Sequence, residues 1–144
     1  MNVYFQKLND KATFPAKGTS GAAGFDLYAA LDEDITILPR GRALIGTGWA
    51  MAIPSGMVGQ ICPRSGMAIK DGVSVANSPG TVDSDYRGEV KVLIENRGDY
   101  AYTVQNGQRV AQMVFVPYFE PVLMSVESLD QTERGKSGFG STGV

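Results

Sequence analysis

The sequence predicts an all-β domain of the sandwich or barrel type, and three observations lead to this prediction. Short apolar or alternating runs recur along the chain, which is typical of strands. Turn-forming pairs separate these runs, such as Asp71-Gly72 and Asn106-Gly107. The 144 residues are 43% apolar, which is enough for one domain with its own hydrophobic core. Many short strands at this spacing favour a sandwich or barrel.

Six strands are predicted, and turn residues fall between them. They cover residues 3–8, 35–38, 43–53, 57–62, 90–95 and 109–117. One weak helical segment, residues 65–70, follows Pro63-Arg64. No linker or internal repeat divides the chain. We therefore expect residues 1–133 to form one β domain and residues 134–144 to form an appended arm.

Composition excludes several kinds of site and partner. The sequence has no histidine and a single cysteine, Cys62, which excludes histidine-based triads, cysteine zinc sites and intramolecular disulfides. A net charge of −2 argues against a broad basic surface for a nucleic acid polymer. No apolar run is long enough for a membrane span and no signal-peptide pattern is present, so we expect a cytoplasmic protein (host cytoplasm if viral). Cations in glycine-rich or strand segments favour an anionic small molecule as the ligand.

The glycine-rich run RGKSGFGSTGV, residues 134–144, is the most informative segment. Glycines let backbone N–H groups crowd around an anion. Arg134, Ser141 and Thr142 can bind phosphate oxygens, and Phe139 offers a flat face for a base. The segment therefore predicts a flexible flap that closes over a nucleotide, and a disordered Gly/Ser tail is the alternative.

Two aspartates, Asp83 and Asp85, lie in the turn-rich segment GTVDSDYRG, residues 80–88. A carboxylate in such a segment can accept a proton from water. The alternative is a turn whose carboxylates bond to their own backbone. A calcium site is a weaker interpretation, because the rest of a calcium-binding loop is missing.

Three other segments place polar residues among apolar ones. Arg64 and Ser65 precede a possible helix start, where free N–H groups attract anions, although Ser65 as a plain helix cap is an equal alternative. Arg109 and Gln112 interrupt a predicted strand and need either partners or an exposed face. Asp26 lies in an apolar run and must be solvated or paired.

Five segments, taken in this order, resemble the five motifs of the trimeric dUTPases. They are AGFDLYA (23–29), PRSGMAIK (63–70), GTVDSDYRG (80–88), RVAQMVF (109–115) and RGKSGFGSTG (134–143). The resemblance implies a jelly-roll-like β fold with a flexible C-terminal arm, and a homotrimer with three active sites at subunit interfaces. It also implies Mg²⁺-dependent hydrolysis of dUTP to dUMP and pyrophosphate, which supplies dUMP for thymidylate synthesis and keeps uracil out of DNA.

The resemblance also implies roles for individual residues. Asp83 would orient and deprotonate the attacking water, and Tyr86 would lie under the deoxyribose. Asp26 would meet Mg²⁺ through water, so no direct metal ligand is expected. The uracil contacts implied are Asn77 and the backbone of a tight hairpin that includes Gly80 and Val82, with Phe139 stacking on the base. The other substrate contacts, mainly to phosphates, are Arg64, Ser65, Gly66, Gln112, Arg134, Gly140, Ser141 and Thr142.

Some positions depart from the usual family pattern. Ser137 occupies a place where many members carry glycine, and a positive φ there would strain the arm. Trp49 falls in a predicted strand that usually has a smaller residue, and it would pack in the core or at a subunit interface. Met67 replaces a commoner leucine, and Cys62 is expected to be a buried small hydrophobe.

Two other functions remain open from the sequence. A dCTP deaminase or bifunctional deaminase of the same fold is one, although no glutamate lies where its deaminating base is expected. A catalytically silent nucleotide-binding regulatory protein is the other, and the presence of Asp83, Tyr86 and Phe139 argues against it.

Overall fold

The structure is a computed structural model that describes residues 1–138 of the chain. The expected site residues Phe139, Gly140, Ser141 and Thr142 lie outside the described residues. The described part contains short strands and one short helix. In chain order they are β1 (Tyr4–Lys7), β2 (Phe25–Tyr28), β3 (Ile35–Ile37), β4 (Arg42–Ala52), β5 (Met57–Cys62), α1 (Ser65–Asp71), β6 (Val73–Val75), β7 (Gly80–Val82), β8 (Glu89–Asn96), β9 (Tyr102–Val104) and β10 (Arg109–Pro117).

The strands form two four-stranded sheets and one two-stranded sheet. The strand order is β1-β4-β8-β6 in the first sheet and β2-β10-β5-β7 in the second, and β3 pairs with β9. Every pairing between strands is antiparallel. Strands that are consecutive in sequence mostly belong to different sheets, so the chain crosses repeatedly between them. This jelly-roll-like arrangement confirms the all-β prediction.

One core unites the two four-stranded sheets. It forms because alternate residues along each strand point inward, as Val90, Val92 and Ile94 do in β8. Met67 of α1 is also buried there, as expected. Other members of the cluster, drawn from strands of every sheet, include Leu27, Ile37, Ile45, Ile61, Val73, Val82, Val104, Val110 and Met113. No helix among residues 1–138 is long and apolar enough to cross a membrane.

All six predicted strands and the predicted helix are present, with ends within one residue of the prediction. The sequence pattern missed four short strands: β2, β6, β7 and β9. Three of them have only three residues and the fourth has four, which is too short for an alternating pattern to stand out. Pairing with longer neighbours, not their own propensity, makes them strands.

The pairing of β4 with β8 contains a bulge. Gly46 lies opposite Lys91 and Ala50 lies opposite Glu89, so β4 carries extra residues between these two positions. The buried Thr47 hydroxyl donates to the Val90 carbonyl at 2.7 Å and holds the bulge against β8. The bulge brings β4 close to the loop that follows β1.

Trp49 lies within the bulge, where it is half-buried and belongs to an aromatic cluster outside the central core. Its ring packs edge-on against Phe5 and Phe14, with centroids 6.1 Å and 5.2 Å away. Its Nε1–H donates to the Thr13 carbonyl at 2.9 Å. The indole therefore anchors the loop after β1 to β4.

Residues 118–138 follow β10 without forming a strand or helix. Their large apolar side chains are exposed, including Phe119 at 98% and Leu123 at 90%. Exposure of this extent over a run of apolar residues is unusual for a chain that functions alone.

We expect Gly48→Ala to reduce the free energy of unfolding by about 2–4 kcal/mol, because two costs add. Gly48 has a φ of 70°, and a Cβ there would lie 2.6 Å from Ala12 Cβ and 3.1 Å from Ala30 Cβ. Gly56 has a φ of 81° but open space around its Cβ position, so Gly56→Ala should cost only about 1 kcal/mol. Urea denaturation of both variants measures the difference, and equal losses would contradict a packing constraint at the bulge.

Candidate functional site

A cavity of about 290 Å³ lies between the first sheet and the segment that connects β6 to β8. It brings together five of the residues expected from the sequence: Asn77, Gly80, Val82, Asp83 and Tyr86. The remaining lining residues are Leu44, Ile61, Thr81, Glu89, Val90 and Lys91. Apolar walls with a few polar groups at fixed places are typical of a small-molecule site.

The segment 76–79 forms one end of this cavity. It carries the chain from β6 in the first sheet to β7 in the second, and contains a cis Ser78–Pro79 peptide bond. The Ala76 N–H donates to the Leu93 carbonyl at 2.8 Å, which fixes the crossing to β8. The expected hairpin is therefore wrong: β6 pairs with β8 and β7 pairs with β5, because each strand adds to a different sheet.

Asn77 lies close to Gly80 within this crossing. A Cβ at Gly80 would approach Asn77 Nδ2 to 3.2 Å and Ile61 Cβ to 3.3 Å. Glycine at this position therefore lets the backbone and the amide share one wall of the cavity. An amide and free backbone groups can distinguish bases by their donors and acceptors.

The Asp83 turn is closed by backbone bonds and by Arg87. The Tyr86 N–H donates to the Asp83 carbonyl at 3.2 Å, and Arg87 Nη1 donates to the Ser84 carbonyl at 2.7 Å. Among residues 1–138, the Asp83 and Asp85 carboxylates take no part in the turn's hydrogen bonds, which argues against the interpretation of a self-bonded turn. Asp83 lines both the cavity and a neighbouring acidic depression, whereas Asp85 lines only the depression.

Tyr86 is held in one orientation by two contacts. Its hydroxyl donates to the Glu89 carbonyl at 3.0 Å. Its ring lies across Gly88, where a Cβ would come within 2.6 Å of Tyr86 Cζ. Because Gly88 has no side chain, the ring can lie flat at the cavity edge while remaining 46% exposed.

Asp26, Arg64 and Arg109 form a second cluster, which we call the guanidinium cluster. Arg64 Nε lies 3.2 Å from one Asp26 carboxylate oxygen, and Arg109 Nη1 lies 3.2 Å from the other. Strand register brings them together, because β2 pairs with β10 and Arg64 follows the end of β5. The sequence left open whether Asp26 and Arg109 are paired or exposed to solvent. In the structure they are paired with each other.

Gln112 lies beside this cluster. It is opposite both Asp26 and Cys62 in the sheet, and its Nε2–H donates to the Pro63 carbonyl at 3.0 Å. A Cβ at Gly24 would come within 3.1 Å of the Gln112 amide carbon, so glycine leaves room for this side chain. Cys62 itself is half-buried, contrary to the expectation of full burial, because it lies at the last position of β5.

Ser65 and Gly66 are exposed at the start of α1. The residue that caps this helix is Arg64, with extended backbone and no capping bond from its side chain. Ser65 as a plain helix cap is therefore wrong, because Ser65 is already the first helical residue. Its hydroxyl and the adjacent backbone remain next to the guanidinium cluster.

Within the described residues, the cavity and the guanidinium cluster are built from different side chains. No residue of the guanidinium cluster lines the cavity within residues 1–138. Arg134 contacts neither group among its described bonds, and its Nε–H donates to the Ser137 carbonyl at 3.0 Å in a local turn. Ser137 does not adopt a positive φ, so the strain expected there is absent in this conformation.

Leu44, Glu89 and Lys91 line the cavity but were not predicted from the sequence. No motif includes Leu44, which reaches the cavity only because β4 pairs with β8. A signal for the other two existed: Glu89 and Lys91 are two positions apart on one strand, and therefore share a face with each other.

Tyr102 lies within the electrostatic reach of Arg64 and stays neutral. Burial raises the pKa of its phenol above the ordinary 10.0, and the Asp71 carboxylate raises it further. Gln108 Nε2–H donates a hydrogen bond to the phenol oxygen.

Comparisons with known proteins agree with this geometry. The dUTPase family profile matches residues 10–143. The chain is 54% identical over 132 residues to the deoxyuridine 5'-triphosphate nucleotidohydrolase of Rhizobium leguminosarum bv. trifolii, covering 90% of this chain and 85% of the relative. It is 50% identical over 143 residues to the protein of the same name from Nautilia profundicola, covering 99% of both.

Solved structures give the same likeness. The dUTPase of Staphylococcus bacteriophage 80alpha, solved with dUPNHPP, superposes with a TM-score of 0.89 at 30% identity and 99% coverage of both chains. A mutant dUTPase of phage phi11 of S. aureus superposes with a TM-score of 0.81 at 26% identity, covering 89% of this chain and 98% of the other. That second structure reveals the coordination of a structural Mg(II) ion.

Removing the Asp26 charge should destabilise the fold, because two guanidinium groups would then face each other without a carboxylate. The Asp26 side chain is only 15% exposed, and Arg109 is 50% exposed. Allowing for solvent screening at Arg109, we expect Asp26→Asn to cost about 1–2 kcal/mol. The loss, measured by urea denaturation, should shrink in about 1 M NaCl.

Asp32→Asn is the matched control for this prediction. A hydrogen bond from Lys11 lowers the pKa of the Asp32 carboxyl, but that side chain is 87% exposed. We expect no measurable change in unfolding for Asp32→Asn. If the Asp26 and Asp32 variants behaved alike, the guanidinium cluster would not be held together by Asp26.

Proposed function

The chain belongs to the dUTPase family, and we propose on that premise that it is a dUTP diphosphatase, which hydrolyses dUTP to dUMP and pyrophosphate. The observation that carries this proposal is the cavity that unites Asn77, Asp83 and Tyr86. It supplies a base-reading amide, a carboxylate and an aromatic platform in one place. The family relatives named for dUTP hydrolysis support the same reaction.

Uracil would occupy the narrow part of the cavity, beside Asn77 and the backbone of Gly80 and Val82. The crossing segment 76–79 is fixed to β8, so this wall is rigid and can exclude a 5-methyl group by steric clash. Amide and backbone groups can separate uracil from cytosine by their donor and acceptor pattern. Tyr86, held across Gly88, would lie under deoxyribose where a ribose 2′-hydroxyl would clash.

Asp83 would act as the general base. Its carboxylate lines the cavity and is free of described hydrogen bonds, so it can accept a proton from water. The water oxygen then bonds to the α-phosphorus of dUTP. The bond between this phosphorus and the oxygen that bridges it to the β-phosphate breaks, and its electron pair leaves with pyrophosphate. A carboxylate base fits a chain that contains no histidine.

The guanidinium cluster would bind phosphate oxygens. Phosphoryl transfer depends on charge neutralisation and positioning more than on a covalent nucleophile. Arg64, Ser65, Gly66 and Gln112 lie together around the start of α1, where they offer several N–H and O–H donors. Asp26 keeps the two arginines close together, despite their like charges.

Magnesium would be carried mainly by the substrate's phosphates. Residues 1–138 contain no group of three or more potential metal ligands, which fits an ion that keeps several waters. Asp26 has lone pairs beyond its two ion pairs and could meet the ion through water. The ion would neutralise charge on the transferring phosphate.

The active form would be a homotrimer whose sites lie between subunits. Two observations support this proposal. The cavity and the guanidinium cluster share no lining residue in the described part of one chain. The exposed apolar run after β10, which includes Phe119, Val122, Leu123 and Leu129, needs a surface to cover it.

The C-terminal arm would complete the site. Residues 134–144 carry the cation, hydroxyls and aromatic ring that suit closure over a nucleotide, with Phe139 stacking on uracil. Arg134, Gly140, Ser141 and Thr142 would hold the phosphates. The arm would be separate from the β domain of residues 1–133.

Asp83→Asn should abolish most turnover while it keeps nucleotide binding. Loss of a general base lowers kcat by about a hundredfold to ten-thousandfold. Pyrophosphate release from dUTP measures kcat, with dTTP, dCTP and UTP as comparison substrates, and calorimetric titration with dUMP measures binding. Asp85→Asn, which alters a carboxylate outside the cavity, should stay within a few-fold of the unmodified chain, about threefold at most. Full activity of the Asp83 variant would refute the assignment.

A mixing experiment tests whether two chains share a site. The variants Asp83→Asn and Arg64→Ala should each be nearly inactive alone. After unfolding and refolding together, mixed trimers should regain pyrophosphate release, because some sites combine an intact Asp83 with an intact Arg64. A mixture as inactive as its components would place both residues in the same chain's site.

A further inference from the structure

We propose that Glu89 is a positioning residue of the nucleotide cavity, one that fixes both Lys91 and the start of β8, and this inference rests on the proposed function. Glu89 lies outside the turn that carries Asp83, and it begins β8. Its side chain and its backbone contact Gly48, Lys91 and Tyr86, and the last two of these line the cavity. Each contact acts on a different neighbour.

The two carboxylate oxygens of Glu89 have different partners. Oε1 accepts a hydrogen bond from the Gly48 N–H at 2.9 Å, at the centre of the β4 bulge. Oε2 lies 3.4 Å from the Lys91 ammonium nitrogen. The carboxylate therefore joins the bulge to the cation that lines the cavity.

The space for this carboxylate exists because Gly46 has no side chain. A Cβ at Gly46 would lie 2.7 Å from Glu89 Oε1. Gly46 is also the residue opposite Lys91, so no side chain on β4 opposes the lysine in this pair. Glu89 is then the group that restrains the lysine, and it is only 27% exposed compared with 45% for Lys91.

The backbone of Glu89 restrains Tyr86. Its carbonyl accepts the Tyr86 hydroxyl at 3.0 Å. Since the side chain of the same residue is fastened to Gly48, the position of this carbonyl depends on the bulge. The bulge is in turn packed against Ala12 and Ala30, which leaves it little freedom to move.

Glu89 therefore links the packed bulge to two lining residues of the cavity, Tyr86 and Lys91. In this role the Glu89 carboxylate acts only through its neighbours and takes no part in the chemical step. It keeps the aromatic platform in place and keeps the lysine from swinging across the cavity toward the Asp83 carboxylate. Its loss should affect sugar recognition and nucleotide affinity before it affects chemistry.

The test compares Glu89→Ala, Glu89→Gln and the control Asp32→Asn, which removes an exposed ion pair whose two residues do not line the cavity. The readouts are the dUMP dissociation constant, kcat and KM for dUTP, the preference for dUTP over UTP, and the melting temperature. We expect Glu89→Ala to weaken dUMP binding and raise KM about tenfold, with a lower preference for dUTP and kcat within about twofold. Glu89→Gln keeps an acceptor for the Gly48 N–H but loses the ion pair with Lys91, so it should restore the preference for dUTP and only part of the dUMP affinity.

Two outcomes would overturn the proposal. One is a Glu89→Ala variant that matches Asp32→Asn in dUMP affinity and in its preference for dUTP. The other is a loss confined to kcat and melting temperature, with the dUTP preference unchanged in both Glu89 variants, as partial unfolding would give. The proposed function is tested separately with the unmodified chain. If that chain releases no pyrophosphate from dUTP, the proposed function is rejected without any variant.

Discussion

The antiparallel pairing of β4 with β8 is the interaction on which the rest of the molecule depends. These two strands are the longest in their sheet, and they join β1 on one side to β6 on the other. Their inward residues, such as Ile45, Val92 and Ile94, are fully buried at the centre of the core. Their outward residues Leu44, Glu89 and Lys91 line the cavity that we propose binds the nucleotide. The inward face of these two strands therefore stabilises the core, and their outward face lines the cavity.

The bulge in this pair connects β4 both to the loop after β1 and to Glu89 at the cavity. With the bulge, Gly48 packs against Ala12 and Ala30, while its N–H turns toward Glu89. The cost is a residue with φ of 70° and a crowded position, which only glycine tolerates.

Charge is divided between two regions, and the division suits the chemistry of a nucleoside triphosphate. The guanidinium cluster concentrates positive charge around Asp26, which prevents repulsion between Arg64 and Arg109 while no anion is bound. The cavity instead holds the carboxylate of Asp83 and the uncharged groups that would read a base. A base needs uncharged donors and acceptors, whereas a triphosphate needs cations. In the proposed trimer, the two regions would meet across a subunit interface.

Much of the architecture was predictable from the sequence, because long strands carry a strong alternating pattern. The predicted ends of β5 and β10 are those observed, and the motif order alone pointed to Asp83, Tyr86 and Arg64 as parts of one function. The short strands and the crossing at residues 76–79 were missed or misread. Their conformation comes from neighbours far along the chain, as Ala76 bonding to Leu93 illustrates.

The sequence by itself determined the fold class, the family motifs and the chemistry available, since these depend on residue type and local order. Only the tertiary structure decided which residues meet. It paired Asp26 with Arg64 and Arg109, and it brought Leu44, Glu89 and Lys91 to the cavity. It also turned Gly46 and Gly88 into spaces for the Glu89 carboxylate and the Tyr86 ring. These decisions depend on strand register and close packing between distant segments, which no local pattern specifies.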